Sequence, residues 1–276
     1  MTFVLQMLET GKEESPIHAL DPRAKLLWWI CLIIVPILVT NPIILIVITL
    51  WIWFLAYLAG VASRMYRFLT VTYPIMVGFI VFTWPFFYTA TPDQHFLFNW
   101  SIFHASWEGI FYAFAMGMRI IMALTACIFF VMTTDLMDLA ASVGQFLQDR
   151  FGISYMFPLM IISSFKFLPE MSGDYITITN VFRSRALDID SGSIVARFRK
   201  TIPVAIPLID GMLGRAQIIA IALELKAFNP SDKNRTFYYQ HDFSARDALF
   251  VLSGALLIAI GVIFKLIGWG GVEAFL

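Results

Sequence analysis

What this 276-residue chain lacks first is charge. Asp, Glu, Lys and Arg make up 14% of it, and hydrophobic residues 59%. A soluble domain carries about a quarter charged residues. With a mean hydropathy of +0.79, the excess is too large for a soluble core, and a polytopic membrane protein is expected. Formal net charge is +0, so there is no basic surplus to neutralise phosphates, and no nucleic-acid partner is expected. Cysteine is nearly absent. Cys31 and Cys127 both sit in apolar runs, without metal-ligand spacing, and read as small buried hydrophobes. His18, His95, His104 and His241 are scattered, and none forms a ligand pair at helical spacing. GxxxxGK[ST], HExxH and GxSxG are all missing. The chain therefore has no phosphate-cradling loop of its own, no zincin site and no nucleophile elbow. No cofactor, metal or catalytic group is expected. The start, MTFVLQMLETGKEESP, has no continuous apolar region and does not read as a cleavable signal peptide.

What is present is a series of apolar runs long enough to cross a bilayer, which takes about 20 residues. Runs 26–40 and 42–60 are separated only by Asn41-Pro42 and read as a tight hairpin of two spans. Run 68–88 follows, with Pro74 and Pro85 as kinks, then 109–132 and 248–267. Block 153–168 is shorter, holds Pro158 and ends at Lys166 and Pro169. A sixth span, a re-entrant piece and a buried helix are all open for it, a short or partial membrane helix fitting best. The fold class expected is all-α, with about 5–8 helices in the membrane region and long cytoplasmic coupling helices.

Cations alternate along this map. Lys12, Arg23 and Lys25 precede the first run, and Arg64 and Arg67 follow the second. Residues 89–108 have none, and residues 133–247 have twelve. By the positive-inside rule the N-terminus and the long basic section face the cytoplasm, 89–108 faces out, and an odd number of spans leaves the C-terminus outside. If 153–168 crosses fully, a further crossing near 201–223 restores parity. Arg119 is the one charge deep in an apolar run, where snorkelling or an ion pair facing the bundle would accommodate it.

The middle of the chain looks built for contact rather than bond-making. In LGRAQIIAIALELKAFNP (213–230), Ile218, Ile219, Ala222 and Leu225 can share an apolar face. Both SRALDIDSG (184–192) and LKAFNP (225–230) put a cation at a helix end before a break. Such a tip suits an acidic groove on a partner, although two solvated helix ends would show the same spacing.

Three stretches, in order, carry a family resemblance. SPIHALDPRAKLL (15–27) includes Leu20, Asp21, Pro22, Arg23, Lys25 and Leu26; the others are FLPEMSGDYITITNVFRSRALD (167–188) and GRAQIIAIALELKAF (214–228). Together they resemble the transmembrane T component of energy-coupling factor transporters, the group that includes the membrane subunits of cobalt and biotin uptake systems. The last matches the family's second coupling helix at Arg215, Ala216, Ala220, Ala222, Leu223, Glu224 and Phe228. The two signatures depart from the family where alanine replaces glycine, at Ala186 in the first and Ala227 in the second, and where Lys226 replaces arginine in the second. Alanine resists the left-handed backbone that glycine takes freely, and lysine lacks arginine's planar fork.

The resemblance implies a non-catalytic scaffold in a prokaryotic cell membrane. Two cytoplasmic coupling helices, about 168–187 and 208–228, would cross and rest on a pair of ATP-binding-cassette ATPase subunits. Arg183, Ser184, Arg185 and Ala186 would form one contact tip, and Leu225, Lys226 and Ala227 the other. Arg215, Ile218, Ala222, Glu224 and Phe228 would serve helix packing. A membrane-embedded, substrate-binding S component would complete an importer for a vitamin or metal ion. The implied organisation is an N-terminal membrane bundle (1–133), a coupling region (134–246) and a C-terminal membrane helix (247–276). A self-sufficient secondary transporter or channel is the rival, which would carry interrupted half-helices and internal symmetry.

Overall fold

The structure, a computed structural model, describes residues 15–87, 96–100, 103–152, 156–185, 193–228 and 243–269. Two short polar side chains set where the first helices begin. Asp21 accepts from the Arg23 amide at 2.8 Å, with Pro22 at the first helical position, and starts α1 (Pro22–Leu38). Asn41 does the same for the Ile43 amide at 3.0 Å and, with Pro42, starts α2 (Pro42–Leu58). Then come α3 (Ala62–Phe87), a hairpin of β1 (Phe96–Trp100) and β2 (Phe103–Ser106), and α4 (Trp107–Thr133). The rest is α5 (Leu136–Phe151), α6 (Met156–Ser184), α7 (Ile194–Leu225) and α8 (Ala245–Leu266). The expected all-α, polytopic class holds, with the short antiparallel hairpin as an addition not foreseen from the sequence.

Each of the five long apolar runs lies largely within a helix, and the differences are informative. The first two helices are 17 residues each, about 25 Å and so at the short end for a bilayer. They are not a paired hairpin: α1 lies mainly along α8 and α4, and α2 along α4 and α3. Block 153–168 is not a separate element, because α6 runs unbroken for 29 residues from Met156 with Pro169 inside it. Likewise α7 starts well before 208 and carries Pro203 and Pro207 in its interior. A proline removes one backbone bond and bends a helix without ending it when helix-forming sequence continues on both sides. Among the described residues, Ala62–Trp84, Gly109–Thr133, Arg197–Leu225 and Ala245–Leu266 are long and apolar enough to cross a membrane.

The chain divides into two compact units, Met1–Leu139 with His241–Leu276, and Ala140–Gln240. In the first, α1 and α8 run parallel, as the contacts along them show. Near their starts the Asp21 amide donates to Asp247 Oδ1 at 2.8 Å. In the middle Trp28 Nε1 donates to Ser253 Oγ at 3.1 Å and stacks on Phe250 at 4.8 Å. Near their ends Asn41 Nδ2 donates to the Trp269 carbonyl at 2.9 Å. Close approach is possible because α8 has glycine at the contact. A Cβ on Gly254 would lie 2.8 Å from Trp28 Cδ1, and one on Gly261 3.2 Å from Val39 Cγ2. Running opposite to α1, α4 brings Phe129 and Phe130 against Trp28 and Trp29. Tyr73 on α3 bonds Thr125 on α4 at 2.5 Å. Trp28, Leu32, Leu45, Ile52, Met122 and Phe129 are fully buried between these helices, while Ile37, Leu50 and Phe79 stand 70%, 62% and 69% exposed. Apolar inside and apolar outside is what lipid demands of a bundle.

One end of the bundle is closed by a buried polar cluster. Lys25 sits in the first turn of α1, ahead of the apolar run, 4% exposed. Its Nζ donates to the His18 carbonyl at 3.0 Å and to the Thr133 carbonyl, the last residue of α4, at 2.9 Å. Burial pushes its pKa down to about 8, against the pull of Asp138, Asp247 and Asp21. Asp247, 4% exposed, holds the Asp21 amide with one oxygen and the Ser244 amide with the other at 2.8 Å, closing a capping box on α8. His18 packs beside this cluster and shares a 2.8 Å bond with Ser15. Burial and the Lys25 charge hold its pKa below 6.5, the Met132 backbone pulling the other way.

Asp247→Ala removes the carboxylate acceptors of two backbone amides and a counter-charge from Lys25 at once. It is expected to destabilise the bundle by about 3–5 kcal/mol, read as a drop in the thermal unfolding midpoint of the detergent-solubilised protein. For His18 the unfolded chain takes up a proton from about pH 6.5 downward while the folded chain resists it. Stability should therefore fall as pH drops below that value, and His18→Gln should remove this acid-side slope.

Candidate functional site

The second unit contains the two long helices whose ends the sequence singles out. They cross over a short stretch rather than packing lengthwise. Spacing explains which faces meet. Phe167 and Met171 on α6, with Ile209, Met212, Leu213 and Ala216 on α7, recur at helical i, i+3, i+4 and i+7 intervals, and they line an apolar cleft of about 310 Å³. On α6 the carboxylates of Glu170 and Asp174 lie one turn apart, and Arg215 of α7 reaches both. Its Nη2 is 2.8 Å from Asp174 Oδ2 and its Nη1 3.5 Å from Glu170 Oε2. The groups are a third to a half exposed, so each pair contributes no more than about 1 kcal/mol. The fork sets the crossing point more than it stabilises it.

Beyond the crossing the two helices run on by the same amount. Asp174 to Arg185 is eleven residues (185 − 174), and Arg215 to Lys226 is eleven (226 − 215). At 1.5 Å per residue each arm is about 16 Å long. The α6 arm ends in Arg183, Ser184 and Arg185, all exposed, with Ser184 Oγ donating to the Val181 carbonyl at 2.8 Å and the Arg185 amide to the Phe182 carbonyl at 3.1 Å. Ala186 lies outside the described residues.

The α7 arm ends in Leu225, Lys226 and Ala227, also exposed. Its last turn closes with the Ala227 amide on the Glu224 carbonyl and the Phe228 amide on the Leu223 carbonyl, both at 2.9 Å. This 5→2, 6→1 pair is a Schellman stop, which needs a left-handed residue at its turning point. The same bonds end α2 at Gly60 (φ 75°) and α8 at Gly268 (φ 86°), but here the residue is Ala227 at φ 51°. At this end alanine is held in the left-handed conformation that glycine takes freely, with strain.

Not every residue assigned to packing meets another helix. Arg215 stands at the crossing and Phe228 is half-buried, but Ile218 (68% exposed), Ala222 and Glu224 are open to the surroundings, as is Leu225 of the contact tip (83% exposed). The face that meets α6 is the neighbouring one, through Met212 and Ala216. Glu170 and Asp174 went unrecognised as partners of Arg215. Their i, i+4 spacing was the available signal, but nothing local says which cation lies opposite.

An apolar helix bundle and a unit of two crossing helices with cationic ends define a multi-pass α-helical membrane protein whose exposed chemistry is contact chemistry. Comparison with known proteins narrows the class. Residues 13–238 match the family described as cobalt transport protein, and the chain belongs to this family, the transmembrane components of energy-coupling factor transporters. It is 30% identical over 253 residues to the energy-coupling factor transporter transmembrane protein of Streptococcus thermophilus, covering 91% of this chain and 93% of that one. Over 261 residues it is 26% identical to the protein of that name from Lactococcus lactis subsp. cremoris, covering 91% and 94%. The Staphylococcus aureus protein is 26% identical over 262 residues, at 94% and 95%.

Ala227→Gly is expected to relieve a left-handed alanine and stabilise the end of α7 by about 1 kcal/mol. Amide hydrogen exchange at residues 226–228 should slow about fivefold, and Ala227→Val should speed it.

Proposed function

We propose that this chain transmits the motion of ATPase subunits to a substrate-binding membrane subunit, as the coupling scaffold of an ATP-driven importer of a vitamin or metal ion. The observation that carries the reading is the pair of equal arms, each about 16 Å long beyond one pinned crossing, and each ending in an exposed cation, Arg185 or Lys226. Two similar arms suit two similar partners, and a cation at a helix C-terminus suits a carboxylate-lined groove. Arg183, Ser184 and Ala186 flank the first contact, and Leu225 and Ala227 the second. The chain itself is non-catalytic, and hydrolysis takes place on separate ATP-binding-cassette subunits.

In this arrangement the basic section 134–246 and the N-terminus face the cytoplasm, and the bundle 1–133 with the helix of 247–276 holds the subunit in the prokaryotic cell membrane. The open apolar face of Ile218, Ala222 and Leu225 meets the S component or lipid. Pro203 and Pro207 of α7 lie before the crossing, and the arms beyond it act as levers about the Arg215 fork. Cargo choice rests with the S component.

The double reversal Arg185→Glu/Lys226→Glu tests the docking. Like charges at the groove cost several kcal/mol, so ATPase co-purification should fall at least about tenfold and uptake should stop, with the thermal midpoint of the membrane bundle unchanged. Co-purification and uptake that both persist would sink the proposal.

A further inference from the structure

Among the described residues, Arg119 has no counter-charge in its own bundle. It stands on α4, twelve residues after Trp107 and fourteen before Thr133, about 18 Å and 21 Å from the two ends. Its Nε is buried with no hydrogen-bond partner, and its Nη1 reaches only the weak acceptor Met116 Sδ at 3.7 Å. The residues sharing its face, Ala115, Met122 and Ala126, are apolar and buried. Tyr73 and Thr125, a polar pair between α3 and α4, are bonded to each other. The runs 26–40, 42–60, 68–88, 109–132 and 248–267 contain no Asp or Glu at all. Among the described residues of this bundle, no other helix therefore supplies a carboxylate within these runs.

A guanidinium is always charged and is not left unpaired in hydrocarbon. With a core of about 30 Å, a mid-helix position lies about 15 Å from either headgroup layer, and a three-methylene stem does not cover that distance. Lipid phosphate is therefore out of reach. We infer that Arg119 is an intramembrane docking point for a carboxylate on a membrane helix of a separate subunit. The planar fork of arginine matches a carboxylate in two hydrogen bonds. A lone acid in a partner's span has the same need, so each charge is satisfied only on assembly, which makes the pair a device for partner choice. The inference rests on the reading of the chain as one subunit of a complex with a second membrane subunit.

The test uses the assembled complex, purified in detergent through a tag on this chain. Arg119→Lys puts an amine at the site, and the hydrophobic reagent dicyclohexylcarbodiimide should then join it by an amide bond to an Asp or Glu within a membrane helix of the other subunit. Arg119→Met should weaken retention of that subunit about a hundredfold and leave the ATPase subunits attached, without lowering the thermal midpoint of the chain alone. Ala123→Glu, one turn along α4, should satisfy Arg119 internally and cause the same selective loss.

Three results overturn the inference. Arg119→Met could lower the midpoint of the chain alone, which means an internal structural role. It could leave the membrane subunit in place. Retention in nanodiscs could depend on phosphatidylglycerol and not on Arg119, which means a lipid partner. If the wild-type chain retains neither ATPase nor membrane subunit, the coupling reading itself fails and takes this inference with it. A wild-type complex that holds while Arg119→Met also holds removes the docking point alone.

Discussion

Lys25 and Asp247 tie together three helix ends that lipid alone would leave apart. Apolar surface is no better off against another helix than against an acyl chain, so hydrophobic burial does not assemble such a bundle. Association must come from groups that lipid cannot satisfy and from backbones close enough for dense packing. Lys25 provides the first by donating to the terminal carbonyl of α4 and to the turn at His18. Asp247 provides it again by accepting the Asp21 and Ser244 amides, the orphan donors at the starts of α1 and α8. Gly254 and Gly261 provide the second, letting α8 lie against Trp28 and Val39. With both ends of the α1–α8 pair fixed, the bundle can present apolar side chains to lipid on nearly every outer face.

The crossing of α6 and α7 follows a different logic. Its ion pairs are partly exposed and individually weak, and its apolar contact is short. One guanidinium bridging two carboxylates spaced a turn apart fixes the register of this contact. Ala227 adds a rigid stop to the α7 arm while holding a left-handed conformation that glycine holds elsewhere in the same chain at no steric cost. The arm is thus ended by hydrogen bonding strong enough to override the preference of its own residue.

Much of this was legible along the chain. Asp21-Pro22 and Asn41-Pro42 announce helix starts because a short acceptor followed by proline satisfies the first amide and supplies a preset φ. The long apolar runs announce spans because nothing else tolerates so many apolar residues in a row. The family resemblance, resting on three stretches in order, pointed to the two helix ends. Less legible were the lengths of α6 and α7, where Pro169, Pro203 and Pro207 lie inside continuous helices. The hairpin of β1 and β2 was missed, since two strands of four or five residues carry little pattern above the surrounding apolar sequence.

The amino-acid order by itself determined the class, the approximate helices and the cations at their ends, because composition, capping and periodicity act between near neighbours. Only the tertiary structure decided that Lys25 answers Thr133 and Asp247, that Arg215 answers Glu170 and Asp174, and that Arg119 meets no carboxylate among the described residues of its own bundle. Such pairings join residues separated by anything from 41 to 222 positions. No local preference reaches that far, and which charge meets which is settled only when the helices come together.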